Sequence, residues 1–194
     1  MAVVEGPGSS LLKSERIALN LLARCSSIAT NARNLAALTT SKLAGTRKTT
    51  PGFRLIEKYA LSIAGIDTHR MSCSDCIMLK DNHIDMLGGI EIALKKAKSI
   101  ASFTTKTEVE CRSFEDAKMA IVSGADIVML DNFIPREDEI EILKALKPEI
   151  LIEISGGITA NNLHSYPQNG VILSLGALTL SLPSLLDFSF KVTK

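Results

Sequence analysis

Two basic residues, Arg47 and Lys48, stand side by side in the segment GTRKTTPGFRLIEKYA, although the charge of the chain is almost balanced, with 22 Lys and Arg against 21 Asp and Glu. They follow a short apolar stretch, KLAGT. They precede TTPG, in which Thr50 is a suitable N-cap and Pro51 a suitable first helical residue. The N-terminus of a helix attracts anions through its free N–H groups and its dipole. Arg47 and Lys48 are therefore predicted to bind an anion.

The same segment contains two further cations, Arg54 and Lys58, for which we predict a different role. Four positions separate them, so a helix places both on one face. The apolar side chains of Leu55, Ile56 and Tyr59 mark the opposite face. We therefore expect Arg54 and Lys58 to be mostly exposed to solvent.

More cations stand at or near the ends of the next apolar segments. The motif DTHR contributes His69 and Arg70, and Lys80 ends the apolar stretch CIMLK. A guanidinium group can grip a planar carboxylate through two parallel hydrogen bonds. Each of these cations alone could be an ordinary surface residue, but the set at successive strand ends indicates a pocket for an anion.

Acidic residues occupy equivalent positions further along the chain. Glu108 and Glu110 in KTEVE lie two apart and so point to one face of a strand, and Asp131 ends IVMLD. Such carboxylates, facing a phosphate-bearing ligand, suit Mg²⁺ held partly by water. The alternatives are that a glutamate simply pairs with an inward lysine and that Asp131 is an N-cap or turn residue.

Two glycine-containing turns follow the last two apolar segments. EISGGIT contains Ser155, Gly156 and Gly157, and SLGALT contains Gly176. Glycine lets the backbone approach a ligand closely, and phosphate sites of α/β barrels often lie in the loops after the last two strands. The two turns together predict a phosphate site.

These residues must be positioned by short strands that alternate with helices. The predicted strands are KLAGT, CIMLK, TTKTEVE, ADIVML, ILIEIS and GVILSLG, and the predicted helices include ERIALNLLARCSSIATNARNLAAL, GGIEIALKKAKSI, SFEDAKMAIVSG, EDEIEILKALK and TANNLHSY. In the first helix Ser14 is the expected N-cap. Such alternation makes a parallel α/β sheet, either open and doubly wound or closed as a barrel. We favour a (β/α) barrel, because polar residues end nearly every strand. With 194 residues against a typical ~250, the barrel should be incomplete or open.

Composition excludes several classes of function. The net charge of +1 and the 4% of aromatic residues argue against nucleic-acid binding. The N-terminus lacks the pattern of a signal peptide, and no apolar run approaches the ~18 residues of a membrane helix. Four cysteines without an export signal suggest reduced thiols and a cytoplasmic location. Cys73 and Cys76 form a C-x-x-C pair, but a zinc site would need further ligands at suitable spacing.

Taken together, these segments resemble the quinolinate phosphoribosyltransferases, a family of type II phosphoribosyltransferases. The segments that carry the resemblance, in family order, are ERIALNLLARCSSIAT, GTRKTTPGFRLIEKYA, HRMSCSDCIMLKDNHI, EVEC, GADIVMLDNF, EISGGIT, LSLGALT and LDFSFK. The resemblance implies an α/β barrel that condenses quinolinate with phosphoribosyl pyrophosphate. The implied products are nicotinate mononucleotide, pyrophosphate and CO₂, in de novo NAD biosynthesis, with Mg²⁺ as cofactor.

The resemblance also implies roles for single residues. It assigns the quinolinate carboxylates and nearby phosphates to Arg16, Arg47, Lys48, His69, Arg70 and Lys80, with Thr46 beside them. It assigns the ribose and Mg²⁺ to Glu110 and Asp131, and the 5′-phosphate to Ser155, Gly156, Gly157 and Gly176. The residues implied to be catalytic are Lys48, Lys80, Glu110 and Asp131. In the family the arginine that matches Arg16 reaches a neighbouring active site, which implies a homo-oligomer, either a dimer or a hexamer.

The chain departs from the family pattern at its start. Residues 1–12 are expected to be the remnant of an N-terminal sandwich domain, with its last strand around Val3 to Gly8, and residues 13–194 the barrel. The alternative to an active transferase is therefore a catalytically impaired fragment or isoform with a binding or oligomerising role. A third possibility is a related transferase for another pyridine, such as nicotinate, although Arg70 and Lys80 favour a dicarboxylate.

Overall fold

A parallel sheet of six strands forms the centre of the computed structural model, which describes residues 2–192. The strand order is β1-β6-β5-β4-β3-β2, and every neighbouring pair is parallel. The strands are β1 (Lys42–Ala44), β2 (Ile77–Leu79), β3 (Thr107–Cys111), β4 (Ile127–Asp131), β5 (Leu151–Ser155) and β6 (Ile172–Ser174). All six strands predicted from the sequence are confirmed.

Helices alternate with these strands along the chain. They are α1 (Gly8–Ala36), α2 (Arg54–Ile63), α3 (Asp81–Leu87), α4 (Ile90–Ile100), α5 (Phe114–Val122), α6 (Glu137–Leu146) and α7 (Ala177–Leu180). Their ends follow local rules. The side chain of Ser113 caps α5 by accepting a hydrogen bond from Asp116 N, and Gly88, at φ 86°, ends α3 in the left-handed conformation.

The sheet curls into an open barrel. A flat sheet of six strands would hold its two edges about 24 Å apart, given roughly 4.8 Å per strand interval. Here the side chains of His69 and Arg70, which lie in a segment beside β1, reach across the inner face of the sheet. Arg70 Nη2 lies 3.0 Å from Met78 Sδ on β2, and His69 Nε2 lies 3.2 Å from Glu153 Oε2 on β5. Within residues 2–192 the edge strands β1 and β2 do not pair with each other, so the barrel stays open between them.

Alternate residues of neighbouring strands face the barrel interior in register. Met129 is paired with Glu153, Asp131 with Ser155, and Ser155 with Ser174. Because successive strand residues point to opposite faces, these side chains line the interior near the carboxyl ends, and all but Met129 are polar. The intervening residues form the buried core beneath the helices, and they include Val109, Val128, Leu130, Ile152, Ile154 and Leu173.

The start of the chain differs from the prediction. Residues 2–7 form no strand, and α1 begins at Gly8 directly after Pro7. The predicted N-cap, Ser14, lies inside the helix, where its hydroxyl donates back to Ser10 O. The predicted boundary between residues 12 and 13 therefore falls within one continuous helix.

Two smaller predictions also need correction. The segment TANNLHSY was expected to be a helix, but only Leu163–Ser165 form a single 3₁₀ turn. Its Thr159 and Asn162 instead satisfy each other locally, with Asn162 Oδ1 accepting from Thr159 N at 2.7 Å. The short helices α3 and α7 were not predicted. No helix among residues 2–192 combines the length and the apolar character needed to cross a bilayer.

Candidate functional site

A polar pocket of about 340 Å³ opens at the carboxyl ends of the strands, within the size range of small-molecule sites. Its lining combines five basic side chains with three acidic ones. The lining residues are Thr46, Arg47, Lys48, His69, Arg70, Met78, Lys80, Glu110, Met129, Asp131, Asn132, Glu153, Ser155, Gly156 and Ser174. The expected convergence of the strand ends on one site is thus confirmed.

Three residues from the predicted set do not line this pocket. Arg16 is exposed on α1, Gly157 is exposed beside Gly156, and Gly176 lies behind Lys48. A Cβ at position 176 would come within 3.1 Å of Lys48 Cδ, so this glycine makes room for the lysine stem. The other predicted residues are brought together.

An ion pair at the pocket rim joins two of the predicted residues. Lys80 Nζ lies 2.5 Å from Glu110 Oε2. Asp131 ends the next strand, where partial burial and the negative charge of Glu110 raise the pKa of its carboxyl group. The rim therefore carries two neighbouring carboxylates that repel each other, and one of them pairs with Lys80.

The two carboxylates suit a cation. Oxygen ligands of this kind are those that Mg²⁺ prefers, with water completing its shell. Partial burial and then the charge of Glu110 raise the pKa of Asp131, and a divalent cation would offset the negative charge of the two groups. Glu110 and Asp131 therefore fit the metal role expected for them.

Glu153, which lines the pocket, was not predicted as functional, and Glu108, predicted with Glu110 to suit Mg²⁺, instead lies beside Glu153 and does not line the pocket. Glu153 is 4% exposed and Glu108 is fully buried, and His69 is within 4.8 Å of both through its ligand atoms. Burial and the charge of Glu153 raise the pKa of Glu108 to about 7. Burial opposes protonation of His69, but the hydrogen bond and charge of Glu153 outweigh it and raise the pKa of the imidazole. One signal in the sequence pointed to Glu153, namely an acid in the otherwise apolar strand ILIEIS.

The expectation that Lys58 is solvated is wrong. Its side chain is 2% exposed, and Nζ donates to the carbonyl oxygens of Thr68, His69 and Arg70. Burial and the nearby Arg54 lower the pKa of Lys58 to about 8. The ammonium therefore holds the segment that carries two pocket cations.

The side chain of Arg54 also forms hydrogen bonds within the protein instead of extending into solvent. Its guanidinium donates to Arg47 O at 3.3 Å, Thr49 Oγ1 at 3.1 Å and Met71 O at 3.0 Å. The bonds to Arg47 O and Thr49 Oγ1 fix the loop after β1, which carries Arg47 and Lys48. The two cations of α2 are thus structural supports of the anion pocket.

Thr50 does not cap α2 as predicted, because the helix begins at Arg54. Instead Thr50 N and Oγ1 donate to the carboxylate of Glu57, at 3.1 and 2.8 Å. Glu57 is fully buried and also binds Arg24 of α1 at 2.8 Å. The loop is therefore held by a buried carboxylate, and the argument from a helix N-terminus at TTPG does not apply.

The cysteines do not form a shared site. All four thiols are free. Cys73 is exposed and accepts a contact from Arg47 Nη1 at 3.0 Å, whereas Cys76 is buried beside Glu108. Burial and the neighbouring Glu108 raise the pKa of Cys76 to about 12, so it is a protonated thiol.

The fold and the pocket define a class of protein: an open parallel α/β barrel with a pocket lined by five basic and three acidic side chains at the carboxyl ends of its strands. The family described as "Quinolinate phosphoribosyl transferase, C-terminal domain" matches residues 26–191. The chain belongs to this family.

Relatives from distant organisms support the assignment. The human nicotinate-nucleotide pyrophosphorylase [carboxylating] is 46% identical over 200 residues, covering 99% of this chain and 67% of the human protein. The Dictyostelium discoideum protein of the same name is 46% identical over 209 residues, covering 100% of this chain and 69% of its own length. This chain therefore spans about two thirds of the length of these relatives.

Solved structures agree with the fold. The crystal structure of NadC from Streptococcus pyogenes superimposes with a TM-score of 0.86 at 39% identity, covering 96% of this chain and 66% of that one. The nicotinate-nucleotide pyrophosphorylase from Francisella tularensis gives a TM-score of 0.82 at 37% identity, covering 92% of this chain and 64% of that one. The parallel α/β architecture expected from the sequence is confirmed.

Proposed function

We propose that the chain transfers the phosphoribosyl group of phosphoribosyl pyrophosphate to quinolinate and releases CO₂, giving nicotinate mononucleotide and pyrophosphate. The observation that supports this most is the pocket itself, in which five cationic side chains face the strand-end carboxylates Glu110 and Asp131. A dianionic pyridine and a polyphosphate need such fixed cations. The membership of the chain in the quinolinate phosphoribosyl transferase family points to the same reaction.

Quinolinate is assigned to the basic side of the pocket. Arg47, His69 and Arg70 enter from the segments after β1 and after α2, and Lys80 enters from the end of β2. A planar carboxylate matches the fork of a guanidinium group. Two carboxylates on adjacent ring carbons would occupy cations that a monocarboxylate leaves unpaired, which favours quinolinate over nicotinate.

Phosphoribosyl pyrophosphate is assigned to the acidic rim and the glycine turn. Glu110 and Asp131 would hold the ribose hydroxyls and Mg²⁺, which supplies charge neutralisation of the departing pyrophosphate when bound. Ser155 and Gly156 line the pocket beside them, in the position where barrels commonly bind a phosphate. Lys48 would pair with phosphate oxygens as a point charge.

The chemistry then depends on positioning and electrostatics rather than on a protein nucleophile. The pyridine nitrogen forms a bond to C1 of ribose while the bond from C1 to the pyrophosphate oxygen breaks. The sugar carries positive charge in between, which the nearby carboxylates stabilise. The bond from ring C2 to its carboxylate breaks next, the electron pair stays on C2 beside the positively charged nitrogen, and a proton completes the product.

The assembly is proposed to be a homo-oligomer, as for the family. Arg16 lies outside the pocket of its own chain and is exposed on α1. It therefore fits a role in the active site of a second copy. The apolar side chains Leu12, Ile17 and Tyr59 are also exposed, as expected for a surface that a partner covers.

Substrate identity is tested by calorimetric titration with quinolinate and with nicotinate. We expect quinolinate to bind at least about tenfold more tightly, since loss of a charge-assisted hydrogen bond costs roughly 1.5–3 kcal/mol. The Arg70→Ala variant should lose most of this preference. Equal affinity for both acids in the unmodified chain would contradict the assignment to quinolinate.

A further inference from the structure

Asn132 follows Asp131 at the end of β4 and lines the pocket, but no motif or spacing in the sequence selected it. Its φ is 61°, and it is one of two residues other than glycine with positive φ among residues 2–192. Asparagine tolerates this left-handed conformation better than most residues, yet the conformation persists only where its surroundings fix it. The contacts of Asn132 show what fixes it.

Two hydrogen bonds hold Asn132 in place, and the missing side chain of Gly156 leaves room for its amide. Its backbone N donates to Ser155 O at 2.8 Å, which ties the end of β4 to the end of β5. Its side-chain Nδ2 donates to Asp131 Oδ2 at 2.6 Å. Its Oδ1 lies where a Cβ on Gly156 would approach to 2.2 Å, so only glycine at position 156 leaves space for the amide.

This close approach gives Gly156 a second role beside the phosphate binding expected of it. Gly156 itself has φ 102°, which other residues rarely adopt. The turn SGG is therefore built around the amide of Asn132. A fixed amide beside a strand-end carboxylate is an arrangement that orients the carboxylate.

We infer that Asn132 is a positioning residue, whose side-chain amide holds Asp131 Oδ2 and so directs Asp131 Oδ1 toward the ribose and cation of phosphoribosyl pyrophosphate. Without the amide, Asp131 Oδ2 loses this hydrogen-bond donor, and the carboxylate can turn about its Cβ–Cγ bond. The inference rests on the proposed function, because it assigns Asp131 to the phosphoribosyl substrate.

Two variants distinguish the effect of the Asn132 side-chain amide from the effect of its backbone conformation. Asn132→Gly keeps the positive φ at no steric cost but removes the hydrogen bond to Asp131. Asn132→Asp keeps the size and tolerates this φ, but places a second carboxylate against Asp131. The control is Asn169→Gly, an exposed asparagine outside the pocket.

The measurements are calorimetric affinities for phosphoribosyl pyrophosphate with Mg²⁺ and for quinolinate, together with kcat and KM for each substrate and the melting temperature. Both Asn132 variants should bind phosphoribosyl pyrophosphate about tenfold or more weakly, as expected for loss of an orienting charge-assisted bond. Quinolinate affinity and melting temperature should stay close to those of the Asn169→Gly control.

The outcomes are distinct. Asn132→Gly with unchanged phosphoribosyl pyrophosphate affinity would show that Asn132 serves only the turn, and would overturn the inference. Equal losses for both ligands would also overturn it, because they would indicate general distortion of the pocket. If the unmodified chain fails to bind phosphoribosyl pyrophosphate at all, the proposed function itself fails, and the inference with it.

Discussion

At the scale of single residues, Lys80 is the cation whose position in the pocket is most informative. It directly follows Leu79, the last residue of β2, is 46% exposed, and pairs with Glu110 at the pocket rim. It was selected from the sequence because it closes an apolar strand. In the proposed function Lys80 serves both substrates, because it would pair with quinolinate and also neutralises the acidic rim assigned to phosphoribosyl pyrophosphate.

Replacement of Lys80 by alanine should abolish activity without unfolding the chain. We expect kcat/KM to fall by about two orders of magnitude or more, as for loss of a fixed charge at the reacting centre. Because the ion pair is partly exposed, stability should change by less than about 1 kcal/mol. Steady-state kinetics and urea denaturation measure both quantities, with Lys96→Ala on the exposed face of α4 as control. A Lys80→Ala chain with near-normal kinetics would remove Lys80 from the site.

The buried pair of His69 and Glu153 predicts how stability depends on pH. The pKa of His69 is raised above its ordinary value of 6.5 in the folded chain. The stabilisation that this provides is fully present below that value and is lost as pH rises through the folded pKa. The raised pKa of the neighbouring Glu108 acts in the same direction.

We therefore expect the free energy of unfolding to decrease from about pH 6 to pH 8, following the linkage of proton binding to folding. Glu153→Gln should flatten this dependence, because the charge of Glu153 raises both pKa values. Urea denaturation at several pH values tests this. An equally steep dependence in the variant would mean that other groups cause it.

Residue-scale reasoning from the sequence identified the pocket lining largely correctly, because cations and acids at strand ends must converge in a parallel sheet. It failed for Lys58 and Glu153, which are buried. Their burial depends on partners far along the chain, such as the carbonyl groups of Thr68 and His69 for Lys58. Local helix periodicity contains no information about those partners.

At the scale of elements, α2 is the support on which the pocket depends. Glu57 holds Thr50, Arg54 holds the loop after β1, and Lys58 holds the segment with His69 and Arg70. The helix thus fixes both loops that present the basic side of the pocket. Its charged residues serve this purpose instead of facing solvent.

The Lys58→Met variant tests whether the buried ammonium of Lys58 positions the pocket or acts only as one more positive charge. The variant keeps the apolar stem but leaves the carbonyl oxygens without their donor, at a cost of roughly 2 kcal/mol or more in stability. The KM for quinolinate should rise, because His69 and Arg70 lose their fixed backbone. Lys95→Met on the exposed face of α4 is the matched control, and its stability and KM should be unchanged. Equal behaviour of the two variants would show that the buried ammonium has no positioning role.

Strand assignment succeeded because each strand is a short apolar run that ends in a polar or glycine cluster. Helix boundaries were less well predicted. In TANNLHSY the side chain of Asn162 binds the backbone of Thr159, which competes with helix formation. The start of α1 was missed because Ser14 is a suitable N-cap, whereas the helix begins at Gly8, directly after Pro7.

At the scale of the whole molecule, the proposal that the active site is shared between copies rests on the position of Arg16. Arg16 is exposed on α1 and does not line the pocket of its own chain. If it acts in catalysis, as the family resemblance implies, it must act on a second copy. This proposal can be tested without knowing the size of the oligomer.

Mixing two inactive variants, Arg16→Ala and Lys80→Ala, should restore activity. In a mixed assembly, some sites receive an intact Arg16 from one chain and an intact Lys80 from the other. For randomly exchanging dimers, about a quarter of the sites would be complete. The assay should follow exchange over time, with each variant alone as the control. A mixture that stays inactive after exchange, verified by light scattering, would contradict a shared site.

The central claim is most directly tested with quinolinate labelled in its C2 carboxylate. The purified chain is incubated with this substrate, phosphoribosyl pyrophosphate and Mg²⁺. The labelled CO₂ that is released and the nicotinate mononucleotide that is formed, separated by chromatography, are both quantified. The account predicts equal amounts of both products, and neither from the Lys80→Ala chain. A folded chain that binds quinolinate but forms neither product would contradict the proposed transferase activity and favour a binding or oligomerising role.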